Sequence, residues 1–82
     1  MWTVVVEKEP RKFLRRIPVA DAMRIQAALD RLAEDPFVGD IRKLAGRDYR
    51  LRVGSYRAFL ELDFDSPIAR VTRIARRTST TY

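Results

Sequence analysis

The chain has 82 residues, 17 Lys and Arg against 11 Asp and Glu, and a formal net charge of +6. That length suits one small domain, taken as residues 1–82, and leaves no room for two hydrophobic cores. With neither Cys nor His in the sequence, it excludes disulfide scaffolds, zinc fingers, thiol nucleophiles and a His general base.

A metal site would need carboxylates alone, so neither a metal nor a cofactor is expected. No apolar run approaches the roughly 18 residues of a membrane span, and no signal-peptide core opens the chain. A cytoplasmic protein without a membrane partner is the expectation. Hydrophobic residues make up 46% of the sequence, enough for a packed fold.

Trp2–Glu7 is β-branched and short, which predicts a strand. Pro10 suits a first helical turn. Phe13, Leu14 and Ile17 recur at helical spacing before Pro18, so a helix is expected over about 10–17. Asp21 is placed to cap a second helix. Its apolar face carries Ile25, Ala28, Leu29 and Leu32, and Pro36 closes it. The two helices form an αα-hairpin. Residues 37–47 read as a loop containing Gly39 and Gly46.

From Tyr49 the period changes to two. Tyr49, Leu51 and Val53 alternate with Arg50 and Arg52. Gly54-Ser55 is a Gly-X pair of the kind found in type II′ hairpins. Tyr56, Ala58, Leu60, Leu62 and Phe64 then alternate with Arg57, Phe59, Glu61 and Asp63. Asp65-Ser66-Pro67 makes the next turn, 68–75 is a last strand, and 76–82 is a polar tail. The expected fold is α+β in the order β-α-α-β-β-β. Two N-terminal helices pack on one face of a small, mostly antiparallel four-stranded sheet.

The charge is unevenly placed. Residues 1–41 hold seven basic and seven acidic residues, and residues 42–82 hold ten basic and four acidic. Fourteen of the 17 basic residues are Arg, which suits bidentate contact with phosphate. An excess confined to one half points to an anionic partner, most often nucleic acid. A merely solvated basic surface is the alternative.

The Gly54-Ser55 turn sets a register. Val53 faces Tyr56, Arg52 faces Arg57, and Arg50 faces Phe59. Tyr49, Leu51, Val53, Tyr56, Ala58 and Leu60 then share the core face, and Arg50, Arg52, Arg57, Phe59 and Glu61 share the other. Like charges opposite each other in a sheet are unfavourable. A bound polyanion would neutralise them; Glu61, Asp63 or solvent would serve otherwise. Phe59 could stack on a base or pack under a C-terminal segment.

Lys43-Leu44-x-Gly46, then Tyr49-Arg50-Leu51-Arg52-Val53-Gly54-Ser55-Tyr56-Arg57, then Ile74-Ala75-Arg76-Arg77 and Tyr82 resemble the RelE/ParE superfamily of bacterial toxins. The resemblance runs over the whole chain, and the central run is its most specific part. It implies a RelE-like fold and the toxin of a type II toxin–antitoxin pair, held inactive by a cognate antitoxin. RelE-like members enter the A site of the 70S ribosome and cut mRNA without a metal. ParE-like members share the fold and poison DNA gyrase, which is the alternative activity.

Carried onto this chain, the resemblance places the family's basic positions at Arg50, Arg52 and Arg57, a further Arg at Arg76 or Arg77, and the terminal aromatic at Tyr82. The expected catalytic residues are then Arg57, Arg76 or Arg77, and Tyr82, and the expected RNA- and phosphate-binding residues are Lys43, Arg50, Arg52 and Phe59. Many RelE-like members carry a His where this chain has Arg76. Arg can stabilise phosphorane charge but is a very poor base. A Tyr82 phenolate favoured by nearby guanidiniums could deprotonate the 2′-OH, or Tyr82 could stack on a base and orient the strand. Glu61 is the other conceivable base on the hairpin face, with pairing to an Arg as its alternative role.

Overall fold

The structure is a computed structural model and describes residues 1–77. Seven elements occur in order: β1 (Thr3–Val6), α1 (Lys8–Arg16), α2 (Val19–Glu34), β2 (Ile41–Ala45), β3 (Asp48–Val53), β4 (Tyr56–Asp63) and β5 (Ile68–Arg76). The sheet has five strands in the order β1-β5-β4-β3-β2, not the four expected. The additional strand, β2, lies within the stretch expected to be a loop. It is an edge strand, and all of it except Ile41 is exposed, so its side chains carry no alternation that could announce it. Pairing is antiparallel except between β1 and β5, which run parallel.

The first and last strands are therefore neighbours. The Trp2 N–H donates to Ala33 O (2.7 Å) and the Glu7 N–H to Val71 O (3.0 Å), which ties the N-terminal strand both to the end of α2 and to β5.

α2 starts about one turn before its expected cap. Pro18 occupies the N-cap position and no side chain caps the helix. Pro lacks an N–H, and its restricted φ feeds the chain into the first turn. Asp21 falls inside that turn, where a carboxylate still favours the helix dipole, and its side chain is used elsewhere.

Both helices lie on one face of the sheet. Ile25, Leu29 and Leu32 of α2 meet Leu51, Val53, Ala58, Leu60, Leu62, Ala69, Val71 and Ile74 in a single core. Phe13, Leu14 and Ile17, at and just beyond α1, pack against its margin. Leu60 and Leu62 are 1% and 0% exposed. At roughly 1.5–3 kcal/mol for each large apolar side chain fully buried, this layer is the principal stabilising contribution. All six residues expected on the core face of the hairpin, from Tyr49 to Leu60, are buried. Among the described residues, no helix lies on the opposite side of the sheet, which forms an open face.

The hairpin register holds residue for residue: Val53 opposite Tyr56, Arg52 opposite Arg57, Arg50 opposite Phe59. Gly54 has φ +56° and Ser55 does not have positive φ. Positive φ at the first central residue alone is what a type II′ turn needs.

Candidate nucleic-acid interface

The register places Arg50, Arg52, Arg57 and Phe59 together on the open face. β2 adds Arg42, directly opposite Arg50. β5 adds Arg73, opposite Phe59, and Arg70, opposite Glu61. Six guanidiniums thus project from four adjacent strands on one side of the sheet. Arg42 escapes sequence reasoning because its strand has the appearance of a loop. Arg73 escapes it because β5 contains a bulge between Val71 and Arg73, opposite Phe59/Leu60. The trace of that bulge in the sequence is the spacing of the apolar residues Ala69, Val71 and Ile74, two and then three.

Only part of this charge is neutralised by other described residues. Arg52 pairs with Asp40 (3.4 Å), and its backbone N–H also donates to Asp40 O (2.9 Å). Arg70 lies 4.0 Å from Glu7. These pairs are well exposed, and such pairs contribute about 0–1 kcal/mol. Among the described residues, Arg42, Arg50, Arg57 and Arg73 have no carboxylate within ion-pairing distance. The Arg73 guanidinium carbon instead lies 5.3 Å from the centroid of the Phe59 ring, a cation–π contact.

The other expected site residues lie elsewhere. Lys43 is opposite Tyr49, so it stands on the helix side of the sheet at the β2 edge. Arg76 is opposite Tyr56, also on the helix side. Its Nη2 donates to Tyr56 Oη (3.1 Å), and its guanidinium carbon stands 5.1 Å from that ring's centroid. Tyr56 Oη in turn donates to Asp21 Oδ2 (2.7 Å). The Phe13 ring meets the same phenol edge-on at 5.9 Å. The hydrogen bond to Asp21 and burial push the Tyr56 phenol above its usual range, with Arg76 opposing them.

Arg77 comes directly after β5. Its N–H donates to Ser55 O (2.6 Å) and its Nη1 to Gly54 O (3.1 Å), so it borders the hairpin turn. Tyr82 lies outside the described residues. Arg50, Arg52 and Arg57 of the expected site thus share the open face. Arg76 does not, and Arg77 borders the hairpin turn.

A basic, helix-free sheet face behind a two-helix layer sits on a fold shared with solved structures. The chain aligns with a RelE–RelB complex from the archaeon Pyrococcus horikoshii at TM-score 0.88 and 24% identity, covering 96% of this chain and 98% of that one. It aligns with a RelB–RelE complex from Methanococcus jannaschii at TM-score 0.70 and 28% identity, over 92% of each chain. The isolated E. coli RelE toxin matches at TM-score 0.82 with 11% identity, over 98% of this chain and 88% of that one.

The chain is RelE-like in fold.

No protein-family model and no curated protein matches the sequence. The RelE-like likeness is therefore carried by backbone geometry over nearly the whole chain. Two of these RelE structures were solved with RelB antitoxins.

Proposed function

We propose that this protein is the toxin of a type II toxin–antitoxin pair and acts as a ribosome-dependent endoribonuclease on mRNA. The observation that carries this reading is the set of guanidiniums on the open face of a RelE-like fold that have no carboxylate partner among the described residues. Arg42, Arg50, Arg57 and Arg73 form a cationic field on a rigid sheet, which suits a single strand's phosphates.

Arg57 is the residue proposed to stabilise the phosphorane. It stands at the turn end of β4, with Arg52 opposite it. Fixed donors aimed at developing charge need no reorganisation during reaction. Arg50 and Arg52 hold the flanking phosphates. Arg77, at the same end of the sheet, is proposed as the C-terminal arginine of the site. Arg76 is proposed to hold the end of β5 against α2 through Tyr56 and Asp21. Tyr82 is proposed to orient the substrate or take the 2′-OH proton, the step no His can perform here.

An antitoxin partner is proposed as well. α1 carries Lys8, Arg11, Lys12, Arg15 and Arg16, and beside it Val19 and Met23 are 74% and 67% exposed. An acidic amphipathic segment complements such a surface.

Primer extension on mRNA during translation tests the reading. Cuts with a three-nucleotide period on translated message, absent without ribosomes, are expected. Intact mRNA together with trapped gyrase–DNA complexes would replace this reading with gyrase inhibition.

A further inference from the structure

β5 changes phase in its middle. Ala69 and Val71 point into the core, Thr72 has no partner, and Arg73 is opposite Phe59. Strict alternation would have turned Arg73 into the core and Ile74 out to solvent. The bulge reverses both: Ile74 is 5% exposed and Arg73 is on the open face. Thr72 Oγ1 donates to Phe59 O (3.3 Å), across the bulge. Bulges re-aim side chains in this way, and here the side chain re-aimed is the one that meets Phe59.

Phe59 is a half-buried aromatic on a face that no helix covers among the described residues. Its cross-strand neighbours are Arg50 on β3 and Arg73 on β5. Its neighbours along β4 on the same face are Arg57 and Glu61. A single nucleic-acid strand needs cations along its backbone and a π surface for its bases. Residues i and i+2 of a strand stand about 6.8 Å apart, close to the span of one nucleotide. A base over Phe59 would leave its phosphate within reach of Arg57 or Arg50.

We propose that Phe59 and Arg73 form a nucleobase-stacking subsite for one nucleotide of single-stranded RNA, beside phosphates held by Arg50 and Arg57. The subsite rests on the reading of the open face as an RNA surface. It assigns Arg73 a planar, stacking role that a lysine does not replace, and it makes Phe59 and Arg73 determinants of which base is accepted there.

The test uses a short RNA with blocked 2′-hydroxyls, so that it binds without being cut. 2-Aminopurine is placed at each position in turn, and stacking quenches its fluorescence. With wild-type protein, quenching at one position is expected. Phe59→Leu keeps an apolar side chain, and Arg73→Lys keeps the charge. Each should lose that quenching, and Phe59→Leu should weaken binding roughly 5- to 150-fold, the loss of one stacked base, with an unchanged salt slope. Arg57→Ala should keep the quenching and lower the salt slope by about 0.7. Salt-dependent binding without quenching at any position, or quenching that survives in both Phe59→Leu and Arg73→Lys, overturns the subsite and leaves the RNA face standing. No binding of the RNA by wild-type protein at low salt overturns both.

Discussion

Removing the Tyr56 hydroxyl should cost stability out of proportion to one oxygen atom. Tyr56 is 4% exposed, donates to Asp21 Oδ2 at 2.7 Å, and accepts from Arg76 Nη2 at 3.1 Å. Tyr56→Phe keeps the ring, its edge contact with Phe13 and its place under the Arg76 guanidinium. The loss is therefore confined to two hydrogen bonds with charged partners, each worth about 1.5–3 kcal/mol when well shielded. Asp21 is only half-buried and Arg76 is exposed, so water recovers part of this. A net loss of about 1.5–2 kcal/mol is expected. For a domain of this size that lowers Tm by about 6–16 °C, read by circular dichroism at pH 7. The raised phenol pKa adds a second signature. A proton held more tightly in the folded state stabilises fully below the unfolded phenol value of about 10, and that stability is lost as pH rises through the folded value. The gap between wild type and Tyr56→Phe should narrow in this alkaline window. A Tm change under about 2 °C at pH 7, with no alkaline convergence, would refute the view that this contact anchors β5 to α2.

Two further substitutions test the fold. Leu60→Ala removes a core side chain that is 1% exposed and should cost about 2–5 kcal/mol, measured as a fall in the urea midpoint at unchanged slope. Gly54→Ala puts a Cβ at φ +56° and 3.3 Å from the Arg24 guanidinium; a loss of about 1–2 kcal/mol is expected in the same assay, whereas an unchanged midpoint would show that the turn tolerates the side chain.

The central hairpin is legible in the sequence because three signals agree. The Gly-X pair fixes a two-residue turn, period-two alternation flanks it, and the alternation gives one consistent face. The open-face positions of Arg50, Arg52, Arg57 and Phe59 come from that alone. β2 is not legible, since an edge strand of charged and exposed residues has no buried face to write a pattern, and Arg42 is lost with it. Arg73 is lost because a bulge breaks the rule on which face assignment depends, although the three-residue step from Val71 to Ile74 marks it in hindsight. Motif counting cannot separate Arg76 from Arg77. Pairing with Tyr56 puts Arg76 on the helix side, where an aromatic ring and the Asp21–Tyr56 contact receive a charge that would otherwise lack a partner. The helix start is displaced from Asp21 because a capping side chain and a first-turn carboxylate look alike in sequence.

The division of labour proposed for this molecule is that the open face performs the chemistry and the helix side supports it. Single-turnover cleavage of mRNA on programmed ribosomes, compared for Arg57→Ala and Arg76→Ala with Tm measured alongside, addresses it most directly. Arg57→Ala should lose about 100-fold or more in rate at an unchanged Tm, and Arg76→Ala should show a lowered Tm. Wild-type cleavage by a folded Arg57→Ala variant would contradict the assignment of the chemistry to the open face.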